Sequence, residues 1–179
     1  ADVQPADIDG DGDLDLIVAE FGWRATGHVL ILENIAADPA QPEFQAQYID
    51  SRSGAIHVPV VDLDGDGRLD IVALLAQEHE AVVAYLNRGG GRFDLRELYR
   101  APHPAWGSSG LELIDLDGDG DLDVVFVASN NDWDDPRAPS LLWLENDGRM
   151  QFTLRGIASA PTHLQTLAIG DLDGDGRPD

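Results

Sequence analysis

A nine-residue, aspartate-rich segment recurs four times in this 179-residue chain and supplies the side chains best suited to hold a metal ion. The copies read DIDGDGDLD, DLDGDGRLD, DLDGDGDLD and DLDGDGRPD, begin at residues 7, 62, 115 and 171, and are called loops 1 to 4 below. Carboxylates at positions 1, 3, 5 and 9 converge only if the backbone turns sharply, and glycine at position 6 permits that turn because it tolerates positive φ. Hard oxygen donors at flexible distances favour Ca²⁺ over Mg²⁺. The segments are therefore predicted to be calcium loops.

The predicted ligand set of each loop combines four aspartate side chains with one backbone carbonyl at position 7. The predicted metal ligands are Asp7, Asp9, Asp11, Asp13, Asp15, Asp62, Asp64, Asp66, Arg68, Asp70, Asp115, Asp117, Asp119, Asp121, Asp123, Asp171, Asp173, Asp175, Arg177 and Asp179. The carbonyl donors among them are Asp13, Arg68, Asp121 and Arg177. The position-9 aspartate is expected to offer both carboxylate oxygens. Gly67, at position 6, is expected to form the turn, whereas Gly65, at position 4, is expected only to separate two ligands.

The residues after each loop distinguish it from a helix–loop–helix calcium site. The first half of the motif matches the EF-hand loop, which ends on Glu at position 12. Here Asp at position 9 closes the motif, and LIVA, IVAL or VVFV follows, which favours a β-strand. Four copies in register also argue against plain solvated turns, because crowded carboxylates repel one another without a cation.

The acidic composition is explained mainly by the loops. The net charge is −23, and sixteen of the 34 acidic residues are predicted side-chain ligands, so the rest of the chain carries only −7. The sequence has no basic stripe for nucleic acid, no run of 18 apolar residues that could span a membrane and no cysteine. Weak multi-aspartate sites fill at the millimolar Ca²⁺ found outside cells. We therefore expect an extracellular, cell-surface or periplasmic location.

The loop starts are separated by 55, 53 and 56 residues, which indicates a repeat architecture. Four short strands are predicted in each complete period. In the second period they are 55–61, 69–76, 81–87 and 93–99, and in the third they are 111–114, 122–128, 140–146 and 152–158. The first period has strands 14–20, 28–34 and 44–50, with only a stub before its loop, and the fourth has a first strand at 164–170.

Several predicted strands are continuously apolar, which indicates a sheet covered on both faces. Four antiparallel strands repeated radially describe a β-propeller, so the chain is predicted to be all-β, with each calcium loop between the first and second strands of a blade. The predicted blades are 1–51, 52–103 and 104–160, with a partial fourth at 161–179. Because propellers have about four to eight blades, we expect a fragment of a larger propeller whose partners are the remaining blades. A ring built from two or more copies is the alternative.

The loop, the following LDLIVA strand and VLILEN about twelve residues later resemble the FG-GAP/VCBS repeat family, whose propellers include the head of integrin α chains. The resemblance implies that the loop joins the first and second strands of a blade and holds a structural calcium ion. The Phe21-Gly22 pair occurs only in the first repeat. Thrombospondin-type repeats, which bring cysteines, and dockerins, which bring helices, match less well.

Antiparallel geometry sorts the connections onto two faces. If the calcium loops and the hairpins between third and fourth strands share one face, the remaining links lie on the other. Those links contain the predicted ligand-binding residues Trp23, Arg24, His79, Trp106 and Trp133. Loops on a rigid scaffold often bind ligands, and Trp and Arg suit such contacts. Alternatives remain open: Trp106 as a plug between blades, His79 in a solvated loop, His57 as a packed channel-side residue and Trp143 in the core.

The leading hypothesis is a calcium-stabilised extracellular module for binding carbohydrate or protein, or for adhesion, without catalytic activity. A saturated structural metal site has no open position for a substrate, and Ser108-Ser109-Gly110 lacks the context of a nucleophile elbow. The alternative is a scaffold or accessory part of a secreted enzyme, because the resemblance extends to repeats found in polysaccharide lyases and phospholipases. The flanking reading frame would discriminate between the two.

Overall fold

The computed structural model describes residues 2–23, 26–38, 40–103, 106–129, 137–160 and 163–179. Within these ranges the chain forms thirteen β-strands and no helix, which confirms the all-β prediction. Consequently no helix among the described residues is long and apolar enough to cross a membrane.

The first sheet contains four antiparallel strands in sequence order. They are β1 (Asp2–Ala6), β2 (Asp15–Glu20), β3 (His28–Asn34) and β4 (Phe44–Asp50). The predicted stub before loop 1 is a complete strand, because every residue of β1 pairs with β2, from Asp2 opposite Ala19 to Ala6 opposite Asp15.

The second and third sheets repeat this arrangement. The second contains β5 (Ala55–His57), β6 (Val60–Val61), β7 (Asp70–Leu75), β8 (Ala81–Asn87) and β9 (Phe93–Arg100), and the third contains β10 (Ser108–Ile114), β11 (Asp123–Ala128), β12 (Leu141–Asn146) and β13 (Phe152–Ala158). The strand predicted at 55–61 is divided in two at Val58 and Pro59, and Pro59 has no amide to donate. Both β5 and β6 still pair with β7.

Two apolar clusters hold the three sheets together. The first seam, between the first and second sheets, includes buried Ile17, Val29 and Ile31 beside Ile71, Val83 and Tyr85. The second seam, between the second and third sheets, includes Leu74, Val82 and Leu86 beside Leu111, Phe126 and Leu142. Every residue of β7 and β8 is buried. The prediction of a sheet covered on both faces is therefore confirmed, and the sheets form consecutive blades of a β-propeller fragment.

The fourth repeat differs from the prediction. Residues 163–179 form no β-strand. None of the other described segments pairs with 164–170 in a ladder. The segment is nevertheless attached to β10: the Ser109 hydroxyl donates a hydrogen bond to the Leu164 carbonyl at 2.8 Å, and a Cβ on Gly110 would lie 3.0 Å from Cα of Thr166.

The connections lie on two faces, as predicted. On the loop face, Arg88 at the start of the β8–β9 hairpin contacts Asp64 of loop 2 at 2.9 Å. On the opposite face, called the link face, the Gly54 amide donates to the Phe21 carbonyl at 2.6 Å, and the Ser129 amide donates to the Gly107 carbonyl at 2.8 Å. Each of these bonds joins a link between blades to a link between second and third strands.

Candidate functional site

Each aspartate loop folds around its own first side chain. The position-1 carboxylate accepts a hydrogen bond from the amide of the position-6 glycine: Gly12 to Asp7 at 3.1 Å, Gly67 to Asp62 at 2.9 Å, Gly120 to Asp115 at 3.0 Å and Gly176 to Asp171 at 2.9 Å. The four loops therefore share one backbone conformation that is fixed by contacts within the motif.

Both glycines of each loop adopt a left-handed conformation. In loop 2, φ is 72° at Gly65 and 88° at Gly67, and in loop 4 it is 81° at Gly174 and 83° at Gly176. The expectation that Gly65 merely separates two ligands is wrong, since positive φ is unfavourable for any residue with a Cβ. The chain turns at position 4 as well as at position 6.

Carboxylate oxygens from three side chains converge in every loop to within 4.8 Å of one another. The clusters are Asp7, Asp9 and Asp15; Asp62, Asp64 and Asp66; Asp115, Asp117 and Asp123; and Asp171, Asp173 and Asp179. The position-5 aspartate is not part of the cluster in loops 1, 3 and 4, and the position-9 aspartate is not part of the cluster in loop 2. The donors are hard oxygens, and Asp13 Oδ1 and Asp64 Oδ1 are buried without a hydrogen-bond partner. Such oxygens fit a hard divalent cation.

The position-9 aspartate anchors each of the first three loops to its sheet. Asp70 is fully buried, and its oxygens accept hydrogen bonds from the amides of Leu63 at 3.0 Å and Asn87 at 2.7 Å. Asp15 accepts the corresponding hydrogen bonds from the amides of Ile8 and Asn34. Asp123 accepts them from the amides of Leu116 and Asn146. A carboxylate oxygen that accepts one hydrogen bond keeps a lone pair for a metal.

An asparagine at the end of each third strand is part of the site and was not predicted. The Asn87 side chain donates to the carbonyls of Ile8 at 2.8 Å and Leu69 at 3.1 Å, and so connects loop 1 to loop 2 across the first seam. Asn146 donates to Leu122 at 3.1 Å. The signal was present in the sequence, because all three third strands end in Asn.

Burial and mutual repulsion act on the ligand carboxylates. Burial raises the pKa of Asp9 above its ordinary value, and the charges of Asp11, Asp15 and Asp7 raise it further, against a hydrogen bond from the Asp11 amide. The pKa of Asp117 is raised for the same reasons. A bound cation would relieve this repulsion.

Among the described residues, loop 2 is the only one of the four loops whose carboxylates are contacted by two guanidinium groups. Arg88 Nη1 lies 2.9 Å from Asp64 Oδ2 and 3.3 Å from Asp66 Oδ2, and Arg88 Nε lies 2.9 Å from Asp94. Arg68 pairs with Asp66 and donates to the Asn87 carbonyl at 2.8 Å. In loop 2, fixed positive charge therefore neutralises part of the ligand set.

A cleft of about 750 Å³ opens on the loop face at the first seam. Apolar residues in its walls include Ile8, Ile31 and Phe93, and polar side chains around them are Asp7, Asp9, Glu33, Gln47, Arg68 and Asn87. Gly89, Gly90 and Gly91 form one edge, and Gln47 donates to the Gly91 carbonyl at 2.6 Å. The cleft combines an apolar surface with hydrogen-bonding groups beside a candidate metal site, as small-molecule sites do.

The predicted ligand residues of the link face have different environments. Trp23 is 69% exposed. His79 is half-buried; burial and the charges of Arg52 and Arg100 lower its pKa, against the charges of Glu78 and Asp50. A hydrogen bond of 3.3 Å from Gln77 to the Gly22 carbonyl joins the two links that carry Trp23 and His79.

The prediction that Trp106 contacts a ligand is corrected, because its side chain is only 7% exposed and packs in the second seam. Its link runs between two blades, so the large ring fills the gap between them. Arg24 and Trp133 lie outside the described residues. His57 is on innermost strand β5, 3.2 Å from the Ser109 carbonyl, and Trp143 is half-buried on β12 rather than fully enclosed.

Comparisons with known proteins agree with this architecture. A family model described as FG-GAP-like repeat matches residues 7–73, 62–126 and 115–179. No curated protein matches the sequence. Among solved structures, a lectin of Agrocybe aegerita, reported for specific recognition of non-reducing terminal N-acetylglucosamine, aligns with a TM-score of 0.54 and 22% identity over 88% of this chain and 38% of that chain. The chain thus spans 38% of the length of that lectin, and the similarity shows the fold alone.

Proposed function

Since the chain belongs to the FG-GAP-like repeat family, we propose that it is a calcium-binding β-propeller module that binds carbohydrate outside the cell. The four carboxylate clusters support a divalent-cation role, and multi-oxygen sites of this kind select Ca²⁺. Sites that fill at millimolar Ca²⁺ suit an extracellular, cell-surface or periplasmic location.

In this proposal the calcium ions are structural. The carboxylates at positions 1, 3, 5 and 9 would hold each ion, together with the position-7 carbonyl, and the ion would neutralise the repulsion between them. Asp15, Asp70 and Asp123 accept hydrogen bonds from backbone amides at the ends of the third strands, and these bonds would pass the rigidity from loop to sheet. We propose no catalytic role for these residues.

The cleft at the first seam is the observation that supports carbohydrate binding most directly. A sugar ring has an apolar face and hydroxyl groups around its edge. The partly buried Phe93 and Leu69 offer apolar surface, while Glu33 and Gln47 offer hydrogen-bonding groups within the same cleft. The lectin with a similar fold recognises terminal N-acetylglucosamine, so glycans ending in this sugar are the first ligands to test.

The test is binding of N-acetylglucosamine-terminated and other glycans on an array in millimolar Ca²⁺, compared with excess chelator. The cleft variant is Glu33→Ala, and the matched control is Glu43→Ala, an exposed acid outside the cleft. Binding that needs Ca²⁺ and is lost in Glu33→Ala alone supports the proposal. Failure of the wild-type chain to bind any glycan in Ca²⁺ contradicts it.

Protein binding or adhesion through the link face is the second candidate. Its supporting observation is a pair of exposed aromatic residues, Phe21 at 37% and Trp23 at 69% exposure, because exposed aromatics are enriched at protein contacts. If Trp23→Ala abolishes ligand binding while Glu33→Ala has no effect, the link face is the binding surface.

Further propeller blades are proposed as partners. Val3, Val18, Leu30 and Tyr48 form one row across the face of the first sheet that points away from the second. Val3 is 52% and Tyr48 64% exposed, and a covering sheet would bury them as in the two seams. The alternative to a binding module is a scaffold part of a secreted enzyme, and an adjoining catalytic domain in the reading frame would favour that alternative.

A further inference from the structure

Arg88 occupies a position that distinguishes the second repeat from the first and third. It follows the asparagine that ends the third strand, and the strand registers place Asn34, Asn87 and Asn146 opposite Phe44, Phe93 and Phe152. The equivalent of Arg88 is therefore Ile35 in the first repeat and Asp147 in the third. Neither residue can offer a positive charge to its loop.

The charge balance of the loops differs accordingly. Loops 1 and 3 each contain five aspartates and no basic residue, whereas loop 2 contains four aspartates and Arg68. Arg88 adds a second positive charge to loop 2 and contacts two predicted ligands, Asp64 and Asp66. Calcium affinity depends on the ligand charge available to the ion, so the same motif meets two different electrostatic environments.

We propose that Arg88 is a built-in counter-ion that makes loop 2 the weakest divalent-cation site of the three sheet-anchored loops, so that it fills last. This inference rests on the proposed calcium binding. An incoming ion at loop 2 competes with the guanidinium for the same carboxylates and is repelled by it. At a separation of about 5 Å this repulsion lowers the affinity by about tenfold or more.

Filling of loop 2 acts on the cleft through the β8–β9 hairpin. The Arg88 amide donates to the Arg92 carbonyl at 2.8 Å, and the intervening Gly91 carbonyl accepts the hydrogen bond from Gln47. When the ion weakens the contacts of Arg88 with Asp64 and Asp66, the hairpin loses its ion pairs to the loop, while Asn87 at its base stays bonded to Asp70 and Leu69. Its glycines form one edge of the cleft, so the shape of the cleft depends on whether loop 2, the last of the three sheet-anchored loops to fill, holds an ion.

The test is a calcium titration of the metal-free, ¹⁵N-labelled chain, followed by NMR at the position-6 glycines. The amides of Gly12, Gly67 and Gly120 each bond to the first aspartate of their own loop, so each reports on one site. The variant is Arg88→Gln, and the matched control is Arg92→Gln in the same hairpin, where Arg92 has no ion pair among the described residues with a loop aspartate.

We expect the midpoint of the Gly67 shift at about tenfold higher Ca²⁺ than those of Gly12 and Gly120, with Gly89 and Gly91 shifting together with Gly67. Arg88→Gln should lower the Gly67 midpoint towards the others and leave Gly12 and Gly120 unchanged, and Arg92→Gln should change none. A Gly67 midpoint equal to or below the other two, or unaffected by Arg88→Gln, overturns the role of Arg88. If no loop glycine responds to Ca²⁺, the proposed function itself fails.

Discussion

Loops 2 and 4 are identical in sequence at eight of nine positions and differ only at position 8, where Leu69 is replaced by Pro178, yet they have different environments. Asp70 is fully buried and accepts amide hydrogen bonds from its own loop and from Asn87. Asp179 is exposed and accepts one from Leu172 at 2.9 Å.

The difference shows which features of the motif are local. The bond from the position-6 amide to the position-1 aspartate and the positive φ of both glycines are present in both loops. Burial and anchoring require a third strand, and only loop 2 has one among the described residues. The motif therefore determines the shape of the loop, while the sheet determines how strongly the loop contributes to stability.

The largest expected effect is at position 9. Asp70→Ala should lower the free energy of unfolding by about 3–5 kcal/mol in excess chelator, because the buried amides of Leu63 and Asn87 lose their acceptor. Asp179→Ala, the matched change in loop 4, should change it by less than about 0.5 kcal/mol. Urea unfolding measures both. Equal losses for the two variants would show that sheet anchoring does not distinguish the loops.

The next effect concerns Asn87, the asparagine whose amide bonds to Asp70 of loop 2. Asn87→Ala should destabilise the chain by about 2–3 kcal/mol, since it removes buried hydrogen bonds to Ile8 and Leu69. Asn34→Ala is the control, because the Asn34 side chain accepts a bond from the nearby Ala36 amide at the surface side of the first sheet. We expect a loss of about 1 kcal/mol there. A larger loss for Asn34→Ala contradicts the cross-seam role of Asn87.

The loop conformation that loops 2 and 4 share is tested at the glycines of loop 2. Gly65→Ala and Gly67→Ala should each cost about 1–2 kcal/mol in the loop conformation, because both have positive φ. Each variant should therefore weaken calcium binding at loop 2 by about tenfold or more, as measured by calorimetry. Normal affinity in Gly65→Ala would restore the view that position 4 is only a spacer.

The smallest effect is expected at Glu80, a buried carboxylate away from the loops. Its Oε2 accepts the Ser108 amide at 2.7 Å, and burial raises its pKa, although hydrogen bonds from Ser108 and Gly107 oppose the shift. A raised pKa in the folded state means that stability is greatest below the unfolded pKa and is lost as the pH rises through the folded pKa. Glu80→Gln should remove that loss. An unchanged pH profile of unfolding in the variant would contradict this assignment.

The sequence predicted those features that depend on contacts close along the chain. The loop bonds join residues two to seven apart, and the strands of the second and third repeats followed from apolar runs and turn residues. The prediction failed at the strand 55–61, where Pro59 interrupts the ladder, and at 164–170, which pairs in a ladder with none of the described segments.

Contacts between residues far apart in the chain were not predictable in the same way. Arg88 reaches Asp64 over 24 residues, and Asn87 reaches Ile8 over 79. The first contact depends on how the second sheet places its hairpin beside its own loop, and the second on how two sheets pack; a repeat pattern specifies neither. The burial of Trp106 has the same origin, because a residue in a link between blades becomes enclosed only when the neighbouring sheets close around it.

The central claim is that calcium held by the aspartate loops stabilises the fold, and calorimetric melting tests it most directly. The full chain would be melted in saturating Ca²⁺ and in excess EGTA, with metal analysis of both samples. Each site at a hundredfold excess of Ca²⁺ over Kd adds about 2.7 kcal/mol, which for a chain of this size corresponds to a rise in Tm of about 5–10 °C per site. We predict a Tm that is higher in Ca²⁺ by at least this amount. The same Tm in both samples, with metal analysis showing bound calcium in one and none in the other, would contradict the account.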